Sequence, residues 1–253
     1  MKAFDLSGRI AIVTGGNRGI GFGISRGLAE AGATVVIANR NAADGKKAAR
    51  ELAAAGFTVS AIPLDLSSVR SIREMVAQVV GQFARIDILV NNAAVTVRKS
   101  AEDFTEDEWN AVMETDLKGL FFCCQTVAKE MIKQKRGKII NVSSVNSVMA
   151  SPNRSVYCAA KGGVAQLTRA LAAEWAKFGL RVNAIAPGLT ITDINREYFQ
   201  DRPEEFKKAL AHIPLAAPAE LSDYAGAAIF FASDASNYVT GQTLFVDGGM
   251  TVV

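Results

Sequence analysis

The chain of 253 residues holds a single histidine, His212. A Ser-His-Asp hydrolase would have to rely on it alone. Cysteines number three, at 123, 124 and 158. Two of them are adjacent and there is no even-numbered framework, so a disulfide scaffold is excluded and a reducing, cytoplasmic setting is expected. No cluster of histidine, cysteine and acid has metal-ligand spacing, and no metal site is expected. Apolar runs of about 18 residues are missing, so no membrane span is expected. The opening stretch MKAFDLSGRIAIV has too short an apolar segment for a signal peptide. Neither sign of charge dominates: 28 basic residues face 25 acidic ones, for a net +3, with no long basic run. That balance gives no reason to expect a nucleic-acid or membrane partner.

What the chain has is apolar content, 49% of residues, enough for a substantial core. It is laid out as short apolar runs alternating with longer helical patterns. Strands are expected at Arg9–Thr14, Thr34–Asn39, TVSAIPLD ending at Asp65, IDILVNNAA, GKIINVSS, LRVNAIAPG and QTLFVDGG. Helical patterns separate them, including a long one from about Thr105 to Gln134 and another from about Ser155 to Phe178. The alternation predicts an α/β fold: one doubly wound, Rossmann-type parallel sheet of about seven strands with helices on both faces, spanning residues 1–253 as a single domain. The nearly all-apolar strands fit a sheet covered on both sides. In such sheets ligands bind beyond the carboxyl ends of the strands.

The first such end is TGGNRGIG, Thr14–Gly21. Glycine lets the backbone turn tightly and approach a pyrophosphate, and the following helix offers free N–H groups and partial positive charge. Further along, SVYCAAKGG places Tyr157 and Lys161 four residues apart. On a helix these share one face, with small residues leaving room around them.

The spacing T-G-x-x-x-G-x-G, carried by Thr14, Gly15, Gly19 and Gly21, resembles that of the short-chain dehydrogenase/reductase family. So do NNAA at Asn91–Ala94, NVSS at Asn141–Ser144, Tyr157 and Lys161 as Y-x-x-x-K, APG at Ala186–Gly188 and the closing FVDGG. The resemblance covers nearly the whole chain. It implies a nicotinamide cofactor held by Gly15, Asn17, Arg18, Gly19, Ile20, Gly21, Asn39, Arg40, Asp65, Leu66, Asn92, Ala93, Tyr157, Lys161, Pro187, Gly188, Thr190 and Thr192. Within that set, Asp65 would meet the adenine edge, and Thr192 the nicotinamide amide with Thr190 nearby. NAD enzymes usually carry an acid at the end of the second strand. Asn39 stands there, followed by Arg40. An uncharged side chain does not repel a 2′-phosphate, and Arg40 and Arg18 can pair with it. NADP is therefore expected over NAD.

The resemblance also implies that Ser144, Tyr157 and Lys161 are catalytic. As hydride moves between cofactor and a substrate carbon, the substrate oxygen must gain or lose a proton. A free tyrosine holds its proton until about pH 10, but a nearby ammonium favours the phenolate. Ser144 would hydrogen-bond the same oxygen. One position departs from the pattern. The family's asparagine, thought to hold a water that links the lysine to solvent, is Asp116 here, in METDLKG. An ionised carboxylate cannot donate a hydrogen bond. Either the change is tolerated or the proton relay is altered. Ala94 also replaces the glycine of N-N-A-G.

Residues 189–218 read as an irregular substrate lid containing one or two helices. Arg154, Asn146 and Ser147 either meet a polar substrate or are ordinary loop residues. The chain resembles sugar-acid and polyol dehydrogenases of the family as well as 3-oxoacyl-carrier-protein reductases, although APAELSD lacks the arginine usual after the lid. An NADP-dependent alcohol dehydrogenase or carbonyl reductase acting on a polyol, sugar or sugar acid is the leading expectation. The alternatives are a ketoreductase of the acyl-carrier type, a non-catalytic NADP-binding sensor, and a methyltransferase-like nucleotide user. Apolar residues on more than one helix face, as in LFFCC, either meet a second subunit or are buried under neighbouring loops, and the resemblance, to a family that is often tetrameric, implies a homotetramer.

Overall fold

The computed structural model describes residues 2–193 and 195–253. The strands are β1 (Ile10–Thr14), β2 (Thr34–Asn39), β3 (Val59–Pro63), β4 (Ile88–Asn91), β5 (Gly137–Val142), β6 (Leu180–Pro187) and β7 (Thr243–Val246). Between them lie α1 (Gly19–Glu30), α2 (Ala42–Ala54), α3 (Val69–Phe83), α4 (Glu106–Met113), α5 (Leu120–Lys133), α6 (Ser155–Trp175), α7 (Arg196–Gln200), α8 (Pro203–Ala211) and α9 (Asp223–Ala232). The strands form one sheet in the order β3-β2-β1-β4-β5-β6-β7. Every pairing is parallel. The order reverses direction between β1 and β4, which opens a crevice at their carboxyl ends. Among the described residues no helix is long and apolar enough to cross a membrane.

Alternate residues of each strand face opposite layers. On β1, Ile10 and Ile12 pack with α3, α5 and α6, and Ala11 and Val13 pack with α1, α2 and α9. All five β1 residues are buried, which explains the unbroken apolar run. Each fully buried aliphatic side chain contributes about 1.5–3 kcal/mol. β3 is shorter than expected and ends at Pro63, because an edge strand has only β2 to pair with. The expected lid contains two helices, α7 and α8, although Ile194 within it lies outside the described residues. The long helix from Thr105 is interrupted: a π-helical stretch, Glu114–Gly119, joins α4 to α5. Thr105 caps α4 through a reciprocal exchange with Glu108.

At the amino end of the sheet, Asp87 accepts from the Ile10 N–H at 3.0 Å and takes a two-point contact from Arg85. Nearby, Lys138 of β5 is buried, and its Nζ donates to Ser236 Oγ at 3.0 Å. Burial, and then Arg181, push this ammonium down to about 8. Because the folded state releases this proton more readily than the unfolded chain, Lys138 holds stability down below pH 8. The deficit is relieved as pH rises from about 8 towards 10.5. We expect Lys138→Met to stabilise the fold by about 1 kcal/mol at pH 7. The gain should shrink by pH 9.5, as read from urea midpoints at the two pH values. A gain that does not change with pH would remove the charge explanation.

Candidate active site

β1 ends in Thr14, and its hydroxyl organises the crevice. Thr14 Oγ1 accepts from the Asn92 and Ala93 N–H groups at 3.0 and 3.1 Å. The Asn92 amide donates to the carbonyls of Thr14 and Gly15 at 3.1 and 3.2 Å. Asn92, expected to hold the cofactor, thus spends its N–H₂ on tying the β4 end to the glycine turn. Thr14 opened the motif but was not among the expected site residues; a buried threonine at a strand's carboxyl end was the available signal. Ser25 was also passed over. It sits in a literal G-x-S-x-G string, Gly23–Gly27, within α1, where it is buried and bonds the Gly16 carbonyl. That is helix packing, not a nucleophile on a strand-to-helix turn.

Gly15 and Gly19 adopt φ of +63° and +54°, where a side chain would be strained. A Cβ at Gly21 would stand 2.3 Å from the Gly15 carbonyl. At these three glycines the turn presents bare backbone at the start of α1, as the close approach of a pyrophosphate requires. Asn17, Arg18 and Gly19 line a cleft opposite Ile191, Thr192 and Arg196. Ile20 packs against the core layer below. These residues fit a dinucleotide.

The other expected contacts divide. Arg18 and Arg40 are exposed, and neither pairs with a carboxylate among the described residues. Asn39 is buried and turned onto the start of α2, donating to the Asn41 carbonyl at 2.6 Å. Its part is to be uncharged, and Arg40 is the group facing solvent. Asp65 accepts from the Ser67 N–H and hydroxyl at 3.0 and 2.7 Å, which fixes the carboxylate at the end of β3. Leu66 is a core residue with its carbonyl against Gly119. Pro187 ends β6, and Gly188 continues it by donating to the Val246 carbonyl at 3.0 Å. Thr190 is buried with its hydroxyl 2.5 Å from that of Tyr224. Burial pushes the Tyr224 phenol up to about 12, so it stays a neutral partner. Thr190 thus anchors the loop, and Thr192 is the threonine on the cleft.

The catalytic candidates converge at the end of β5. Lys161 Nζ donates to the Val142 carbonyl at 3.1 Å, and Ser143 Oγ donates to the Lys161 carbonyl at 3.1 Å. These bonds lock α6 against the strand that carries Ser144. One helical turn before Lys161, the Tyr157 ring lies with its centroid 5.5 Å from that ammonium. Ser144 Oγ accepts from the Asn146 N–H at 3.1 Å. Among the described residues neither the Ser144 proton nor the Tyr157 hydroxyl is committed to a protein acceptor. Both are free to meet one substrate oxygen.

Behind them stands Asp116, fully buried in the π-helical stretch. One oxygen accepts from the Val95 N–H at 2.8 Å. The other is 3.5 Å from Lys161 Nζ and has no hydrogen bond. That separation is long for a hydrogen bond, so the contact is Coulombic. Burial raises the Asp116 carboxyl above its usual range, against the pull of Lys161 and Val95. On Lys161 burial favours the neutral amine, but Asp116 and Tyr157 override it and the ammonium is favoured.

Residues 15–251 match the family model described as enoyl-(acyl carrier protein) reductase. A gluconate 5-dehydrogenase of Gluconobacter oxydans is 39% identical over 98% of this chain and 97% of its own. A 3-oxoacyl-[acyl-carrier-protein] reductase of Staphylococcus epidermidis is also 39% identical, over 95% of this chain and 98% of its own. The solved structure of a gluconate 5-dehydrogenase from Burkholderia cenocepacia, in complex with NADP and tartrate, is similar at a TM-score of 0.95 and 41% identity, covering 100% of this chain and 98% of that one. A chain matched almost from end to end by this family model and by these relatives is a member of the short-chain dehydrogenase/reductase family of oxidoreductases.

Proposed function

We propose that the protein is an NADP-dependent oxidoreductase that interconverts a secondary alcohol and a ketone on a sugar-acid or polyol substrate. The observation that carries this reading is the pair of uncommitted hydroxyls, Ser144 and Tyr157, fixed at one strand end beside a buried ammonium. The names of the relatives support the substrate class: gluconate 5-dehydrogenase and 2-dehydro-3-deoxy-D-gluconate 5-dehydrogenase, both 39% identical.

When bound, NADP supplies or accepts the hydride. Gly15, Gly19 and the start of α1 would hold its pyrophosphate, Arg18 and Arg40 its 2′-phosphate, and Lys161 its ribose. Tyr157 gives a proton to the substrate oxygen during reduction and takes it back during oxidation. Lys161 stabilises the phenolate left behind. Ser144 donates to the same oxygen and fixes its position. The equally identical acyl-carrier-protein reductase supports a second reading, a 3-oxoacyl thioester as substrate. We also infer a homotetramer, for which exposed Trp109, Leu244 and Val252 offer apolar surface. A cytoplasmic setting suits three unpaired thiols.

The test is D-gluconate oxidation with NADP⁺ and with NAD⁺, run beside reduction of an acetoacetyl thioester. Gluconate turnover with NADP⁺ favoured is expected. A preference for the thioester would move the assignment to the second reading. Arg40→Asp should lower the NADP⁺-over-NAD⁺ ratio of kcat/KM by about 10-fold or more. An unchanged ratio would remove the phosphate role.

A further inference from the structure

Arg196 opens α7, the first helix of the lid, and the chemistry described so far gives it no task. It lines the cleft that Asn17, Arg18 and Gly19 line from the other side. Among the described residues its carboxylate neighbour is Asp193, at 4.0 Å, with both side chains more than half exposed. A pair so long and so wet holds Arg196 weakly. Glu51 enters the cleft from α2 but is at ion-pair distance from neither arginine.

The backbone beneath Arg196 is, by contrast, fixed. The Thr192 N–H donates to Asn195 Oδ1 at 2.8 Å, and Asn195 Nδ2 donates to the Thr190 carbonyl at 2.8 Å. The Arg196 N–H donates to the Thr192 carbonyl at 2.9 Å. Thr190 is in turn bonded to Tyr224 of α9. A Cβ at Gly19 would meet the Thr192 methyl at 3.5 Å, so this stitched loop touches the glycine turn itself. Arg196 is thus a loosely held cation on a rigid base, facing the start of α1. The N-cap of α1 is Arg18, whose side chain makes no capping bond, so the first N–H groups of that helix remain open to an anion.

Topology decides which anion. β2, which Arg40 follows, and β6, which leads into the lid, lie on opposite sides of β1. A 2′-phosphate at Arg40 is therefore across β1 from the lid, and the part of a dinucleotide that lies over the glycine turn is its pyrophosphate. We propose that Arg196 closes onto the pyrophosphate of the bound cofactor, exchanging Asp193 for it, and so ties the lid to cofactor occupancy. A planar guanidinium meets two phosphate oxygens at once, and the exposed ion pair it gives up is worth little. This role rests on the reading of the site as an NADP-dependent oxidoreductase.

The experiment measures Kd for NADPH and for NADH by fluorescence titration, and backbone hydrogen exchange in α7 and α8 with and without saturating NADPH. In the parent, NADPH should slow exchange there by about three-fold or more. Arg196→Gln should weaken NADPH and NADH alike, each by about 10-fold, and remove most of that slowing, while protection of the glycine turn persists. Arg196→Lys keeps the charge without the fork and should fall between. Asp193→Asn removes only the rival carboxylate, so both affinities should stay at or above the parental ones. Weakening confined to NADPH would move Arg196 to the 2′-phosphate and overturn the pyrophosphate contact. Parental affinities or undiminished lid slowing in the glutamine variant would also overturn it. So would a loss in Asp193→Asn equal to that in Arg196→Gln, which would make the ion pair a brace of the lid. A parent that binds neither dinucleotide would overturn the functional reading with it.

Discussion

Tyr157→Phe should lower kcat/KM on the best substrate by about 10³-fold, within the span that general acid–base groups contribute. Its affinity for NADPH, followed by fluorescence titration, should stay within about two-fold of the parent, because a charge-assisted bond is untouched. The ring is set by α6, which Lys161 and Ser143 pin to β5, so removing one oxygen does not release the helix. What goes is the group able to exchange a proton with the substrate oxygen. Ser144 still has a proton to place in a hydrogen bond, because its oxygen only accepts from the Asn146 N–H, but a serine is a far weaker acid than a phenol and does not give that proton up. Lys161 cannot substitute, since its Nζ is turned to Val142 and Asp116. Turnover of the phenylalanine variant at the parental rate would sink the assignment of the proton to Tyr157.

Much of this arrangement was legible in the sequence, and the reason is locality. β2 spans Thr34–Asn39 as its apolar run indicates, because a strand buried on both faces needs nothing beyond its own composition. Tyr157 and Lys161 share a face because helical spacing alone puts them there. What stayed hidden depends on distant partners. Nothing in METDLKG marks a π-helical turn: its residues suit an α-helix, and the turn exists where α4 meets α6 and the Leu66 carbonyl presses on Gly119. The bond between the Thr190 and Tyr224 hydroxyls joins the loop to α9, which no spacing near Thr190 announces. Asn92 reads as a cofactor contact, and its amide is occupied by the first strand.

Asp116 is where sequence and structure together give the sharpest expectation. Asp116→Ala should destabilise the fold by about 3 kcal/mol, because it leaves the Lys161 ammonium buried without a counter-charge and the Val95 N–H without an acceptor. Asp116→Asn keeps that acceptor and removes only the charge. With the carboxylate gone, burial acts on Lys161 unopposed except by Tyr157, so the ammonium gives up its proton at lower pH. Lys161 at present holds a value raised above 10.5. Its contribution to stability is therefore complete below 10.5 and is lost only as pH climbs through the raised value. In the asparagine variant the ammonium is a net cost to the fold that is relieved as it gives up its proton, and activity that needs the ammonium is lost at that lower pH. The alkaline limb of the kcat profile should move towards neutrality, and the deficit in urea midpoint against the parent should be larger at pH 7 than at pH 9, because the buried ammonium can escape its cost only by giving up its proton. Parallel movement of both limbs, or none, would mean that Asp116 is a structural acceptor for Val95 and that its charge does not bear on the reaction.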